Sequence, residues 1–357
     1  ITAGSFEVIR QLWSKSQWFW NDWFWLPRGT SFASLRETEG RYAQPRDLVA
    51  LLIWGGIICV IRKVFELCLN ERIAKMMGVK NKREKPKHVP ILEAHFTVTS
   101  QPSDSKIAEL AKKVDTSQRE VERWFRKRRN FEKPDMVKKL GEAAWRFVFY
   151  LFIFAFGGVT LYDAPWLWDT EHCWIGYPQT IWPSVYYYYM FEGGFYISLL
   201  LTVTTDVRRK DFYEQIIHHI ATIALISFSY ISNFVRIGSL ILIIHDSADV
   251  FLELAKCFMY AKKDKWADRF FALFVTSFLF TRLFLYPVFA LYPSFVKLRR
   301  RIDPWPAYII MTCFATILQG LHVFWSYLII KMAVRVLVTG KKAKDSRSDD
   351  EDESDVE

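Results

Sequence analysis

Asparagine-x-serine or -threonine acceptors are absent from this 357-residue chain, which excludes N-linked glycosylation of these residues. Cysteine is sparse. Cys59, Cys68, Cys173, Cys257 and Cys313 are scattered, with no CxxC pair, and this argues against a disulfide framework or a zinc site. Histidine is scarce too: the seven residues form none of the HxxxH or HxxHH boxes that a membrane di-iron centre needs. No segment repeats at a fixed period, which excludes a solenoid. Because the first residue is Ile, the want of a leader segment decides nothing.

What is abundant is apolar. Hydrophobic residues make up 51% of the chain and aromatics 17%, and the apolar runs are long. A span needs about 20 mostly apolar residues, and seven segments qualify, at roughly 46–67, 145–162, 184–205, 212–232, 235–256, 267–292 and 305–334. The expected fold is all-α, a polytopic membrane protein of about seven transmembrane helices. Six of them should wrap a central cavity, with the first span peripheral.

The net charge of +10 is concentrated. Residues 62–144 carry 21 Lys/Arg against 12 Asp/Glu, and the positive-inside rule makes that segment cytosolic. The loop at 163–183 has Asp163, Asp169 and Glu171 but no Lys or Arg, which suits the opposite, lumenal side. The basic stretches at 206–211 and 262–265 are cytosolic. A lumenal N-terminus and a cytosolic C-terminus follow. One loop disagrees, since Lys297, Arg299, Arg300 and Arg301 would then face the lumen.

Five regions result. Residues 1–45 crowd Trp13, Trp18, Trp20, Trp23 and Trp25 into an expected interfacial segment. The first span covers 46–67, a soluble insert 91–133 and a second transmembrane domain 140–335. An acidic tail, 341–357, is too charged to fold. Ser346, Ser348 and Ser354 in it each precede an acidic residue by three positions, the pattern of an acidophilic kinase target. In the insert, Ile107, Leu110 and Ala111, then Val121, Trp124 and Phe125, keep helical spacing. Thr116 or Ser117 with Glu120 forms a capping box for the second of these helices.

The chemistry concentrates in two adjacent spans. His218 and His219 lie early in one, and His245, Asp246 and Asp249 inside the next. Only Ile231 to Phe234 separate the spans, so they should form an antiparallel hairpin that brings His218 level with Asp249. Spacings of three and four put His245, Asp246 and Asp249 on one face. Unpaired charges in hydrocarbon are costly and rarely kept without a role. Metal ligation is one use of such groups, with zinc or iron, but the boxes are missing. Metal-free acid–base or nucleophilic transfer, in which a carboxylate orients an imidazole, needs only what is present.

Other polar groups in the spans ask for partners. Glu192, Arg236, Glu253 and Arg282 lie in or at the edge of apolar segments. Glu253 and Lys256 can pair on one helix. Arg282 either holds an acidic substrate group or neutralises a buried carboxylate, and with Arg236 and His245 it completes the substrate-binding candidates. His172 and His322 read as packing residues. The run Tyr186 to Tyr189 reads as an interfacial aromatic belt.

The segment W-F-R-K-R-R-N (124–130) resembles the recognition helix of homeodomains. At the position where homeodomains carry an adenine-reading Asn, this chain has Lys127, and the insert looks too short for a full first helix. No nucleic acid is expected as a partner; its basic face would suit anionic lipid or a CoA phosphate.

Residues 206–256 (D-V-R-R-K-D-F-Y-E-Q-I-I-H-H through H-D-S-A-D-V-F-L-E-L-A-K), with W-F-W-N-D-W-F-W-L-P (18–27), the homeobox-like insert and the tail motif R-S-D-D-E, resemble the animal ceramide synthases of the TLC-domain superfamily. That resemblance implies an endoplasmic-reticulum enzyme that joins a fatty acyl-CoA to a sphingoid base. It implies that His218, His219, Asp246 and Asp249 are essential, with no cofactor because acyl-CoA is itself a substrate. Membrane lipids and a homo- or hetero-dimer with family members are the further partners expected. The glycosylation acceptor that the family carries near its N-terminus is missing. The resemblance also suggests that residues 291–306 tune acyl length; physically, they would cap the far end of the cavity. Two rival readings remain, a non-catalytic lipid-binding protein and a membrane-tethered transcription factor.

Overall fold

The structure, a computed structural model, describes residues 21–80, 86–132, 135–207 and 211–339. Among these residues there are helices and connecting turns but no strand. The tryptophans at 13, 18 and 20, the basic residues 208–210 and the acidic tail lie outside the described residues. Two compact units emerge, one made of Ile1–Cys68 with Glu142–Glu357, the other of Leu69–Gly141.

Seven helices occupy the seven apolar segments: α1 (Leu48–Met77), α5 (Met136–Leu161), α6 (Pro183–Thr202), α7 (Phe212–Ile231), α8 (Val235–Tyr260), α9 (Asp264–Leu279, with its continuation) and α10 (Pro306–Thr339). Between α1 and α5 lie α2 (Pro90–Val98), α3 (Asp104–Val114) and α4 (Gln118–Glu132). Helices α1, α5, α9 with its continuation and α10 are long and apolar enough to cross a membrane by length and composition. Their outward faces carry large exposed apolar side chains such as Leu52, Val60 and Tyr327, which suits lipid contact. The chain is thus a polytopic membrane protein. Helices α6, α7 and α8 fall short of that apolarity for a specific reason. They carry the tyrosines, histidines and carboxylates of the site.

Packing within the first unit depends on small residues. A Cβ on Gly194 of α6 would lie 2.8 Å from Trp54 Cβ and 3.0 Å from the Gly55 nitrogen of α1, so bare glycines let the two backbones touch. Arg62 of α1 then reaches Asp206 just beyond α6 in a bidentate pair and donates to Thr202 Oγ1 over 2.7 Å.

Helices α7 and α8 form the expected hairpin. Asn233 takes a left-handed conformation, φ 57°, which ends α7 and turns the chain. Its Oδ1 accepts from the Ala43 backbone N–H over 3.1 Å. A Cβ on Gly238, a turn into α8, would sit 1.7 Å from Tyr189 Oη of α6, so no larger residue fits there. Beyond Leu279, α9 continues through three wide π turns, Phe280–Leu285, Pro287–Leu291 and Pro293–Lys297. Pro287 and Pro293 explain the widening, since each lacks an N–H and its ring crowds the carbonyl a turn earlier.

The N-terminal tryptophans divide. Trp23 is exposed, whereas Phe24 and Trp25 are buried, with the Trp25 ring 4.6 Å from Phe228 of α7. Trp305 Nε1 donates to the Trp25 carbonyl over 2.9 Å. The described part of this segment packs against α7 and the loop before α10. The basic loop that disagreed with the charge rule is partly neutralised, because Lys297 and Arg301 both pair with Glu171, at 2.8 and 2.9 Å. These two cations hold the Glu171 carboxyl below the usual carboxylate range.

The second unit contains a three-helix cluster with its own core, Leu92, Phe96, Ile107, Leu110, Val121, Trp124 and Phe125. The first helix of the cluster, α2, is short, nine residues, and Pro90 supplies a preset φ at its start. The capping box of α4 forms with Ser117, whose Oγ accepts from the Glu120 N–H while the Glu120 carboxylate accepts from the Ser117 N–H. Arg128 clamps Glu93 over 3.0 Å and closes α4 onto α2.

Candidate active site

Helices α5 to α10 surround a polar cavity of about 160 Å³. Each contributes a side chain: Arg146 from α5, Tyr196 from α6, His218 from α7, Asp249 from α8, Arg282 from the α9 continuation and His322 from α10. None of the described lining residues comes from α1, as expected for a peripheral first helix.

Antiparallel pairing about the turn at Asn233 brings His218, His219 and Asp249 to this one cavity. The His218 ring stands edge-on to Trp325 at 5.3 Å and to Tyr196 at 6.0 Å; the His219 ring is 5.6 Å from that of His218. Thr222 donates to the His218 carbonyl over 2.8 Å and steadies that turn of α7. His218 Nδ1 is buried and bonds to none of the described residues.

The two aspartates separate. Asp249 faces the cavity, where Arg282 Nη2 lies 3.6 Å from its Oδ2. Asp246 does not line the cavity. It is buried behind it, against α6, where it accepts a 3.0 Å hydrogen bond from Tyr188 and lies beside the fully buried Glu192. A spacing of three residues turns a helix by about 60° off register, and that is enough to move one carboxylate from the cavity wall into the helix interface.

Arg282 pairs with the Asp249 carboxylate and itself lines the cavity. Besides Asp249, it donates to the carbonyls of Ile244 and His245 over 2.8 and 2.6 Å. The wide turn at Phe280–Leu285 sets this fork across α8. His245 uses both ring nitrogens: Nδ1 lies 2.6 Å from the Ile241 carbonyl and Nε2 3.1 Å from His322 Nε2. Arg236 stands apart from the cavity. It donates to the His172 carbonyl over 2.7 Å and stacks on Trp166, and it therefore holds the loop after α5 onto α8.

At the mouth, where α7 begins, Glu253 pairs with Lys256 over 2.6 Å and with Arg146 over 3.3 Å, and Arg146 reaches Asp206 at 3.7 Å. Next to this cavity lies a second chamber of about 80 Å³, and Tyr196 and His245 line both. This chamber is apolar, walled by residues such as Leu225, Ile226, Leu242 and Met311. Leu291, Ser294 and Phe295, from the segment expected to cap the cavity, line it as well.

Sequence reading missed three residues here. His322 is a cavity residue, not a packing one, because α10 turns it onto His245. Tyr188 is fully buried and bonded to Asp246, so the tyrosine run is no simple interfacial belt. Tyr196 contacts both histidines of α7. Spacing held the signal, since Tyr188, Glu192 and Tyr196 recur every four residues and share one face of α6.

Residues 139–331 match the TLC domain family, and residues 80–133 match the homeodomain family. Human ceramide synthase 3 is 42% identical over 343 residues, covering 95% of this chain and 89% of that protein. Human ceramide synthase 4 is 40% identical, at 95% and 87% coverage. The ceramide synthase hyl-1 of Caenorhabditis elegans is 33% identical, at 95% and 85%.

Proposed function

This chain belongs to the ceramide synthase family of TLC-domain proteins, and we propose that it transfers the acyl group of a fatty acyl-CoA to the amino group of a sphingoid base, giving ceramide or dihydroceramide. The observation that carries the reading is the pair of adjacent chambers that share Tyr196 and His245 as wall: one rich in ionisable groups and holding His218, His219 and Asp249, the other apolar and fit for hydrocarbon. An acyl tail in the apolar chamber would bring its thioester carbonyl to the neck at Tyr196 and His245, next to the imidazoles. CoA would remain at the mouth among Arg146 and Lys256.

The sphingoid ammonium must lose a proton before its nitrogen can attack, and negative charge then develops on the carbonyl oxygen. Two routes use the same residues. In the first, His218 takes the proton, the amine adds to the carbonyl, the C–S bond breaks and the thiolate leaves with a proton. In the second, His218 itself displaces the thiol, and the acyl-imidazole passes its acyl group to the amine. Asp249, held by Arg282 in the same cavity, would orient and balance the imidazoles in either route, with Asp246, held by Tyr188, supporting α8 from behind. Endoplasmic-reticulum residence, a lumenal N-terminus, the absence of any cofactor and a dimer with family members belong to the same reading.

Purified protein with sphinganine and acyl-CoA tests it. Amide product is expected, and its absence would leave the lipid-binding alternative. Intact-mass measurement after acyl-CoA alone separates the routes, since an acyl adduct marks the covalent one.

A further inference from the structure

His245 and His322 face one another Nε2 to Nε2 at 3.1 Å, and both are buried. A carbonyl oxygen only accepts, so the 2.6 Å contact to Ile241 requires the proton of His245 on Nδ1. A second proton would place a cation beside the guanidinium of Arg282, which bonds the His245 carbonyl itself. Nε2 of His245 is therefore a bare lone pair, and His322 must present its own Nε2–H to it. His322 Nδ1 in turn lies 3.4 Å from Gln319 Oε1; turning that amide over exchanges its oxygen and nitrogen and supplies the N–H donor that a bare Nδ1 accepts.

This matters because of where His245 stands. It lines both chambers, and on the function proposed above, the thioester carbonyl passes this neck. We propose that His322 is a positioning residue that masks the basic nitrogen of His245, so that no base other than the α7 histidines acts on the acyl group. Unmasked, His245 Nε2 would draw a proton from water as the water oxygen adds to the thioester carbonyl. The C–S bond would break, the thiolate would take up that proton, and a free fatty acid would leave in place of the amide. His322 protects coupling, not binding.

The inference rests on the proposed acyl transfer, and the test keeps the two apart. The full chain in lipid nanodiscs is given acyl-CoA and sphinganine, and both CoA thiol and amide are quantified. Wild-type protein should release one thiol per amide. His322→Leu should release at least about twofold more thiol than amide, with the KM for acyl-CoA little changed. His322→Gln, whose amide N–H reaches the place of Nε2–H, should keep wild-type coupling. His322→Leu combined with His245→Phe should recover it, because the exposed base is gone. Full coupling in His322→Leu, equal uncoupling in His322→Gln, or an uncoupled double variant would each overturn the masking role. His322→Asn, which leaves the Nε2 position empty, replaces the Leu variant should that fail to accumulate. Wild-type protein that makes no amide sinks the acyl transfer itself; a coupled His322→Leu sinks the masking alone.

Discussion

The Tyr188 hydroxyl on α6 donates to Asp246 Oδ2 on α8 over 3.0 Å, and both side chains are closed off from solvent. This bond reaches the site from behind, through a carboxylate that does not touch the cavity. A hydrogen bond to a charged group contributes roughly 1.5–3 kcal/mol. Tyr188→Phe should therefore lower amide-forming turnover by about tenfold to a hundredfold and leave the KM for acyl-CoA in place. Tyr187→Phe, one position away on the half-exposed face, should behave as wild type. Steady-state kinetics on both variants decides the point.

Removing the α7 imidazoles should be far more severe. General acid–base groups contribute about 10²–10⁴ in rate, so His218→Ala and His219→Ala should each drop turnover by two orders of magnitude or more. Asp249→Asn keeps the shape but not the charge, and a similar loss is expected. Normal turnover in His218→Ala would remove that residue from the assignment.

Arg282 is bound to two carbonyls and a carboxylate, and all three lose their partner in Arg282→Met. Breaking a buried pair from one side costs about 3–5 kcal/mol, and a clear fall in melting temperature in detergent should follow. Arg282→Lys keeps the charge but not the fork and should fall between. Equal melting temperatures for all three proteins would show the pair to be energetically idle.

Acid should loosen the loop contacts around Glu171. Lys297 and Arg301 hold its carboxyl below the usual range, so the folded form binds that proton less readily than the unfolded chain. The stabilisation is therefore present above the ordinary carboxylate pKa of about 4.3 and is lost as pH falls through the depressed value. The group is half-exposed and screened by salt, so Glu171→Gln should remove only a small, salt-sensitive increment. Limited proteolysis between 291 and 306 at pH 7 and at acid pH reads it out; a Gln variant with the same pH response would reject the assignment.

Chain-length preference should follow the depth of the apolar chamber. Each buried CH₂ is worth about 0.8 kcal/mol, so Met311→Trp, which fills the chamber, should shift products toward shorter acyl chains. Exchanging residues 291–301 for those of a relative with another preference should move the product profile too, since Leu291, Ser294 and Phe295 line that chamber. Mass spectrometry of amides formed from a mixed acyl-CoA pool checks both, and an unmoved profile would separate the segment from selectivity.

The seven helices and the α7–α8 hairpin were legible because apolar periodicity and a four-residue gap leave few alternatives. That Asp249 and His218 share one cavity followed from that pairing. His322 was not legible. Its contact with His245 depends on how α10 rotates against α8, and a single helix carries no signal of that. The place of Arg236 was not legible either: its bond to the His172 carbonyl runs to a loop, and spacing within α8 carries no signal of that. The separate fates of Asp246 and Asp249 needed the position of α6, which no local spacing encodes.

Helices α6, α7 and α8 are the ones that do not qualify as spans on apolarity alone, and they follow one another in the chain. A translating ribosome therefore delivers three reluctant segments in succession, and Asp249 emerges before the arginine that neutralises it. Release into the bilayer would have to wait for α9, so chains that stall before residue 282 should be clients of membrane chaperones and of degradation.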